Sequence, residues 1–213
     1  MIQHLFARWR RKSAFSVTDF TEFLERNAWL VTQKSIIGYC HVKTKLPVHE
    51  LMWDKPFEDA YEVSIRHAHA AALADLLVIS LGYLKSAGFG HKTGDIEILV
   101  AIFRELQAVQ DPLPHGEPMT WAAETDALRR RLTDAAEKPS RSIRDIASTS
   151  GERIFETLPF HPRHRDPDKP AVVAGVEFLM VGLAHEFERI DFSTVATALR
   201  LQRPSVAANG PAA

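Results

Sequence analysis

The chain has 213 residues, 46% of them hydrophobic, with 26 Lys and Arg against 27 Asp and Glu for a net charge of -1. That length and apolar content suffice for one core-forming domain, and the balanced charge excludes nucleic-acid binding driven by overall charge. A single cysteine, Cys40, excludes an intramolecular disulfide; with no continuous signal-type apolar core after Arg8, Arg10, Arg11 and Lys12, the expected location is the cytoplasm.

Ile2, Leu5, Phe6 and Trp9 fall at the i, i+3, i+4, i+7 spacing of one helical face, with Arg8 and Arg11 off it. This predicts a short basic amphipathic helix over about 2–12. Start signals at 16–19, followed by Phe20, Phe23, Leu24, Val31, Ile36 and Cys40, predict a long helix to about Val42. A connection over 43–55 contains Pro47. Pro56 then suits a first helical turn, with Glu58 and Asp59 at the positive end of the helix dipole, and Gly88 and Gly90 stop that helix after about Ser86. A further helix spans about 95–109, after which Pro112, Pro114 and Pro118 force an extended link.

Thr120 caps a helix to about Glu137, with Trp121, Leu128, Leu132 and Ala135 facing inward. The helix over about 142–158 is weakened by Ser148, Thr149, Ser150 and Gly151, residues that compete for backbone hydrogen bonds or loosen the chain. Beyond Pro159, Pro162, Pro167 and Pro170 come an apolar helix to about Arg189 and a short one over about 192–201. The tail 202–213 has too little apolar bulk to order itself and is expected to be flexible. No stretch alternates with period two, so the expected fold is all-α: a single-domain orthogonal or bundle-like array of about seven to eight helices within 1–201.

Two apolar stretches, 70–84 and 171–185, each carry a single acid, Asp75 and Glu177. A carboxylate in an oily helix must be paired, protonated, metal-bound or turned to water, which makes these the candidate functional positions. Each apolar stretch falls short of the roughly 20 residues that span a bilayer, so integral insertion is not expected. Ser64, Ala68, Ala71, Asp75 and Gly82 form a stripe of short side chains that lets a second backbone approach, and Ala171, Ala174, Gly175 and Gly182 offer a matching one. The helices around 56–86 and 168–189 are therefore expected to pack side by side. Asp75 and Glu177 would then meet, with His67, His69 and His185 near them, in a candidate carboxylate and histidine pocket.

Other combinations have ordinary explanations. No Glu-x-x-His accompanies the acids, so no cofactor is predicted, and a metal on Asp75, Glu177 and His185 is the weaker alternative. His41 points about 100° from Cys40 on a helix and cannot serve it as a base, which leaves Cys40 a small buried hydrophobe. Gly88, Gly90 and Gly94 follow a helix rather than a strand and read as a helix stop.

The expected function is that of a non-enzymatic interaction or adaptor protein. It would self-associate through an apolar helical face, with some of the aromatics Trp9, Trp29, Trp53 and Trp121 in excess of what the core absorbs. The alternative is a helical enzyme or ligand carrier using the acid and histidine pocket. A second alternative is a peripheral membrane protein that docks through Ile2, Leu5, Phe6, Trp9, Arg8 and Arg11. The expected partner is thus a protein or a second copy, with no nucleic acid and membrane contact only at the surface.

Overall fold

A computed structural model describes residues 15–108 and 121–201, and no strand occurs among the described residues. The first helix, α1 (Val17–Thr44), begins at a capping box: Ser16 Oγ accepts from the Asp19 N–H at 3.1 Å, and Asp19 Oδ2 accepts from the Ser16 N–H at 2.9 Å. A single turn, α2 (Val48–Leu51), leads to α3 (Lys55–Ser86), which has Pro56 in its first turn. The chain then reverses through Gly88 and Gly90, both at positive φ, into α4 (Thr93–Ala108). Next come α5 (Ala122–Glu137) and α6 (Ile143–Thr157), the latter capped by Ser142 Oγ on the Asp145 N–H at 3.1 Å. A turn α7 (Pro162–Arg165) and a 3-10 turn (Asp166–Asp168) precede α8 (Lys169–Gly182), α9 (Ala184–Phe187) and α10 (Phe192–Leu201). The basic 2–12 helix, the Pro112 to Pro118 link, the Thr120 cap and the 202–213 tail lie outside the described residues.

The all-helical array stands, but its centre differs from the expected one. Helix α3 is the hub: α1, α5 and α6 all pack on it, while α8 packs chiefly on α6. The two oily helices are therefore not paired. Helix α6 lies between them, and the residues that weaken it on paper are what fit it there. Its buried side runs through Ile146, Ala147, Ser150, Gly151, Ile154 and Phe155, and at Gly151 an added Cβ would stand 3.1 Å from Val173 Cα of α8. Short side chains at 147–151 let α6 touch one helix on each side, so the favourable packing outweighs the poor local propensity.

The expected 168–189 helix is also divided, because α8 ends at Gly182 and α9 adds one turn. By length and composition Lys55–Ser86 and Pro162–Phe187 are both long and apolar enough to cross a membrane, a test that the buried core helix of a folded domain passes equally. The first is 78% buried inside the protein over its most apolar window, the second only 22%. At the far end of α3, Tyr83 stacks on Phe187 and Phe192 at 5.4 and 5.1 Å, and Phe23 meets Phe187 edge-on at 5.1 Å, so aromatic packing fastens α9 and α10 to the hub. Cys40 is buried, and burial pushes its thiol up to about 12, so it packs as an uncharged apolar side chain.

Helix α10 is clasped at its end by one ion pair. Arg200 Nη2 donates to Asp95 Oδ2 at 3.0 Å and to the Gly88 carbonyl at 2.6 Å, and the guanidinium lies 5.3 Å from the Phe89 ring. Burial alone would raise the Asp95 carboxyl, but the Arg200 bond, the Gly90 N–H and the charges of Arg200 and Lys92 outweigh it and hold the group below 3.8. A carboxyl depressed in the fold contributes stability that is present above 3.8 and lost as pH falls below it. Arg200→Ala is expected to cost about 2 kcal/mol at neutral pH and to remove part of the acid sensitivity, read by urea denaturation at pH 7 and at pH 3.

Candidate functional site

Asp75 sits two-thirds of the way along α3 and is fully buried. A bare carboxylate there would cost several kcal/mol, and three helices converge to prevent it. The Arg131 guanidinium of α5 forms a short ion pair with Oδ1, and the Ser150 N–H, in the middle of α6, donates to Oδ2 at 3.0 Å. Ser150 Oγ turns away to the Ala147 carbonyl at 3.1 Å. Burial pushes the Asp75 carboxyl above its ordinary 3.8, with Arg131 and the Ser150 N–H opposing the rise.

The pair also divides a groove. Helices α5 and α6 each rest on α3, and between them run two hollows of about 360 and 440 Å³ that share Arg131 as a wall. The first has an apolar lining of Val78, Ile79, Tyr83, Ile143 and Ile146, with Gly82 opening its floor. The second lies over Ala70, Ala71 and Ala74 and is rimmed by His67, Glu124 and Arg153. There His67 Nδ1 is 3.9 Å from Glu124 Oε1, which Arg153 Nη2 reaches at 3.3 Å. Burial and the Arg153 charge pull His67 below 6.5, so the ring is neutral at pH 7. The His67 ring meets Trp121 edge-on at 5.9 Å, and neither His67 Nδ1 nor Trp121 Nε1 has a hydrogen-bond partner among the described residues.

The other expected site residues lie elsewhere. Glu177 is on α8, where Arg144 Nε donates to it at 2.8 Å, and His185 is 86% exposed beside Glu188. Neither reaches Asp75, because α6 occupies the space between α3 and α8. The expected pocket of Asp75, Glu177, His67, His69 and His185 is thus not assembled. His69 is a core side chain: its ring packs 4.7 Å from Trp29, its Nδ1 lies 3.4 Å from Gln107 Nε2, and burial lowers its pKa to about 4. Of the five, only His67 lines the α5–α6 groove; Asp75 is buried behind Arg131, which forms its dividing wall. Among the described residues no group of three or more His, Cys, Asp or Glu converges as a metal would require. Ile2, Leu5, Phe6, Arg8, Trp9 and Arg11, expected to dock on a membrane or partner, lie outside the described residues.

The sequence reading missed Arg131, Ser150, Glu124 and Arg153. Arg131 had a signal: it follows Leu128 by three and precedes Leu132, so it borders the buried face of α5. Ser150 had none, since its contribution is a backbone N–H. No family model, curated protein or solved structure matches the chain.

Proposed function

We propose that the protein is a non-enzymatic interaction protein that pairs with a second copy of itself through α8. The observation that carries this reading is the exposure of an apolar helix: Phe178 is 80% and Val181 45% accessible. Ala171, Ala174, Gly175 and Gly182 complete the same outward side. Beta carbons added at Gly175 or Gly182 would meet only open space, so a second helix backbone can approach there. The one acid on this surface, Glu177, is neutralised by Arg144, which leaves no bare charge to desolvate.

Self-pairing fits the order of these residues. Two α8 helices running antiparallel about Phe178 place Ala174 opposite Gly182, so small residues meet small ones and the two Phe178 rings meet at the axis. Beside each ring a hollow of about 300 Å³ is bounded by Arg144, Ala174, Glu177 and Val181. A single helix pair buries area at the low end of specific interfaces, the class of weak and reversible association.

Light scattering across a concentration series tests the proposal. The expected result is a monomer at low concentration that becomes a dimer as concentration rises, and a Phe178→Asp variant that stays monomeric throughout. A parent chain that remains monomeric at every concentration overturns it. The low burial of the most apolar window in Pro162–Phe187 also favours a second reading, contact with a lipid surface. Vesicle flotation that Phe178→Asp abolishes, without any dimer in solution, would select that reading instead.

A further inference from the structure

We propose that the first hollow of the α5–α6 groove binds a single-tailed amphipathic anion, such as a straight-chain carboxylate. The proposal is independent of α8, which lies on the other side of α6. The volume of this hollow, about 360 Å³, falls within the range of small-molecule sites; Val78, Ile79, Tyr83, Ile143 and Ile146 give it an apolar floor, and charged and hydroxylic side chains complete its lining. Gly82 deepens it: a Cβ there would reach Ser140 Oγ at 3.6 Å, so the space above the glycine is room that any side chain would take.

The charges at its rim specify the head group. Arg131 is matched by Asp75, and Lys138 by Asp134 one turn earlier on α5. Arg141 has no carboxylate partner among the described residues; its Nη2 donates only to the Asp145 carbonyl, at 2.8 Å. One unmatched cation over an apolar floor complements one negative charge joined to one apolar tail. The wall that carries Lys138 is fixed in place by Lys85, whose Nζ donates to the Ala135 and Lys138 carbonyls at 2.8 and 2.6 Å. The hollow is therefore held open by α3 and α5.

Calorimetric titration of the full chain with hexanoate, octanoate and decanoate, below their micelle concentrations, tests the assignment. Each methylene that finds room on the floor should tighten binding about fourfold, and decanol, which lacks the charge, should bind at least tenfold more weakly than decanoate. Gly82→Leu should abolish decanoate binding by filling the floor. Arg141→Glu, at an exposed side chain, should weaken it at least tenfold, whereas Phe178→Asp should leave it unchanged. Should Gly82→Leu fail to fold, Arg141→Glu decides alone. The proposal is overturned by absence of binding at millimolar decanoate, by binding that Arg141→Glu leaves intact, or by binding that Phe178→Asp removes.

Discussion

Arg131→Met should lower the stability of the folded chain by about 3–5 kcal/mol at neutral pH, because it leaves the buried Asp75 carboxylate without its counter-charge. The loss should depend on pH in a definite direction. Burial raises the Asp75 carboxyl above 3.8, so the folded state takes up its proton more readily than the unfolded chain does. Stability associated with such a group is fully present below 3.8 and is lost as pH rises through the folded-state value. Arg131 opposes that loss in the parent chain. The deficit of Arg131→Met relative to the parent should therefore be smallest below pH 3.8 and grow as pH rises, as measured by urea denaturation at a series of pH values. Combining it with Asp75→Leu should recover most of the deficit, since removing both charges leaves no uncompensated ion. A single variant as stable as the parent at pH 7 would show that the carboxylate does not depend on the guanidinium.

Gly151→Leu should cost about 3 kcal/mol, the upper end of the usual overpacking range. The first atom of any side chain at this position stands 3.1 Å from Val173 Cα, 3.2 Å from Val173 Cγ1 and 3.3 Å from the Val173 carbonyl oxygen. Two of those three atoms are backbone, which cannot swing aside as the end of a long side chain would. Leu at 151 must move α8 bodily away from α6, and with it Val176 and Met180, the buried side chains of α8. Thermal unfolding followed by circular dichroism should show a melting temperature lowered by several degrees, while the far-ultraviolet spectrum at low temperature remains helical.

How much of this was legible varies with the kind of signal. Helix positions followed from local chemistry: Pro56 and the Gly88 and Gly90 stop bracket α3, Ser142 opens α6, and the apolar spacing of 20–40 marks α1. These features act within a few residues of where they are written. Asp75 stood out because a lone acid in an apolar run is costly wherever the helix goes. Which helix lies against which is set by shape over long separations, and there apolarity misled. The two oiliest segments suggested one another as partners, yet hydrophobicity says only that a surface prefers to leave water, not what covers it. The small residues at 147–151 settled the packing, and in sequence they looked like a defect in α6. Arg131 follows Arg129 and Arg130, and of the three only Arg131 sits beside Leu132, the one signal that separates it from its neighbours.

The junction at Asp75 also has an order in time. Its partners lie 56 and 75 residues further along the chain, so while the protein is being synthesised the hub helix emerges with its acid unmatched. Domains begin to fold from the leading end as the chain is made, and exposed apolar segments aggregate at that stage. An unpaired negative charge within the apolar part of that helix keeps it wetted until the arginine arrives. An acid that the finished fold must neutralise is thus one that keeps the nascent chain in water.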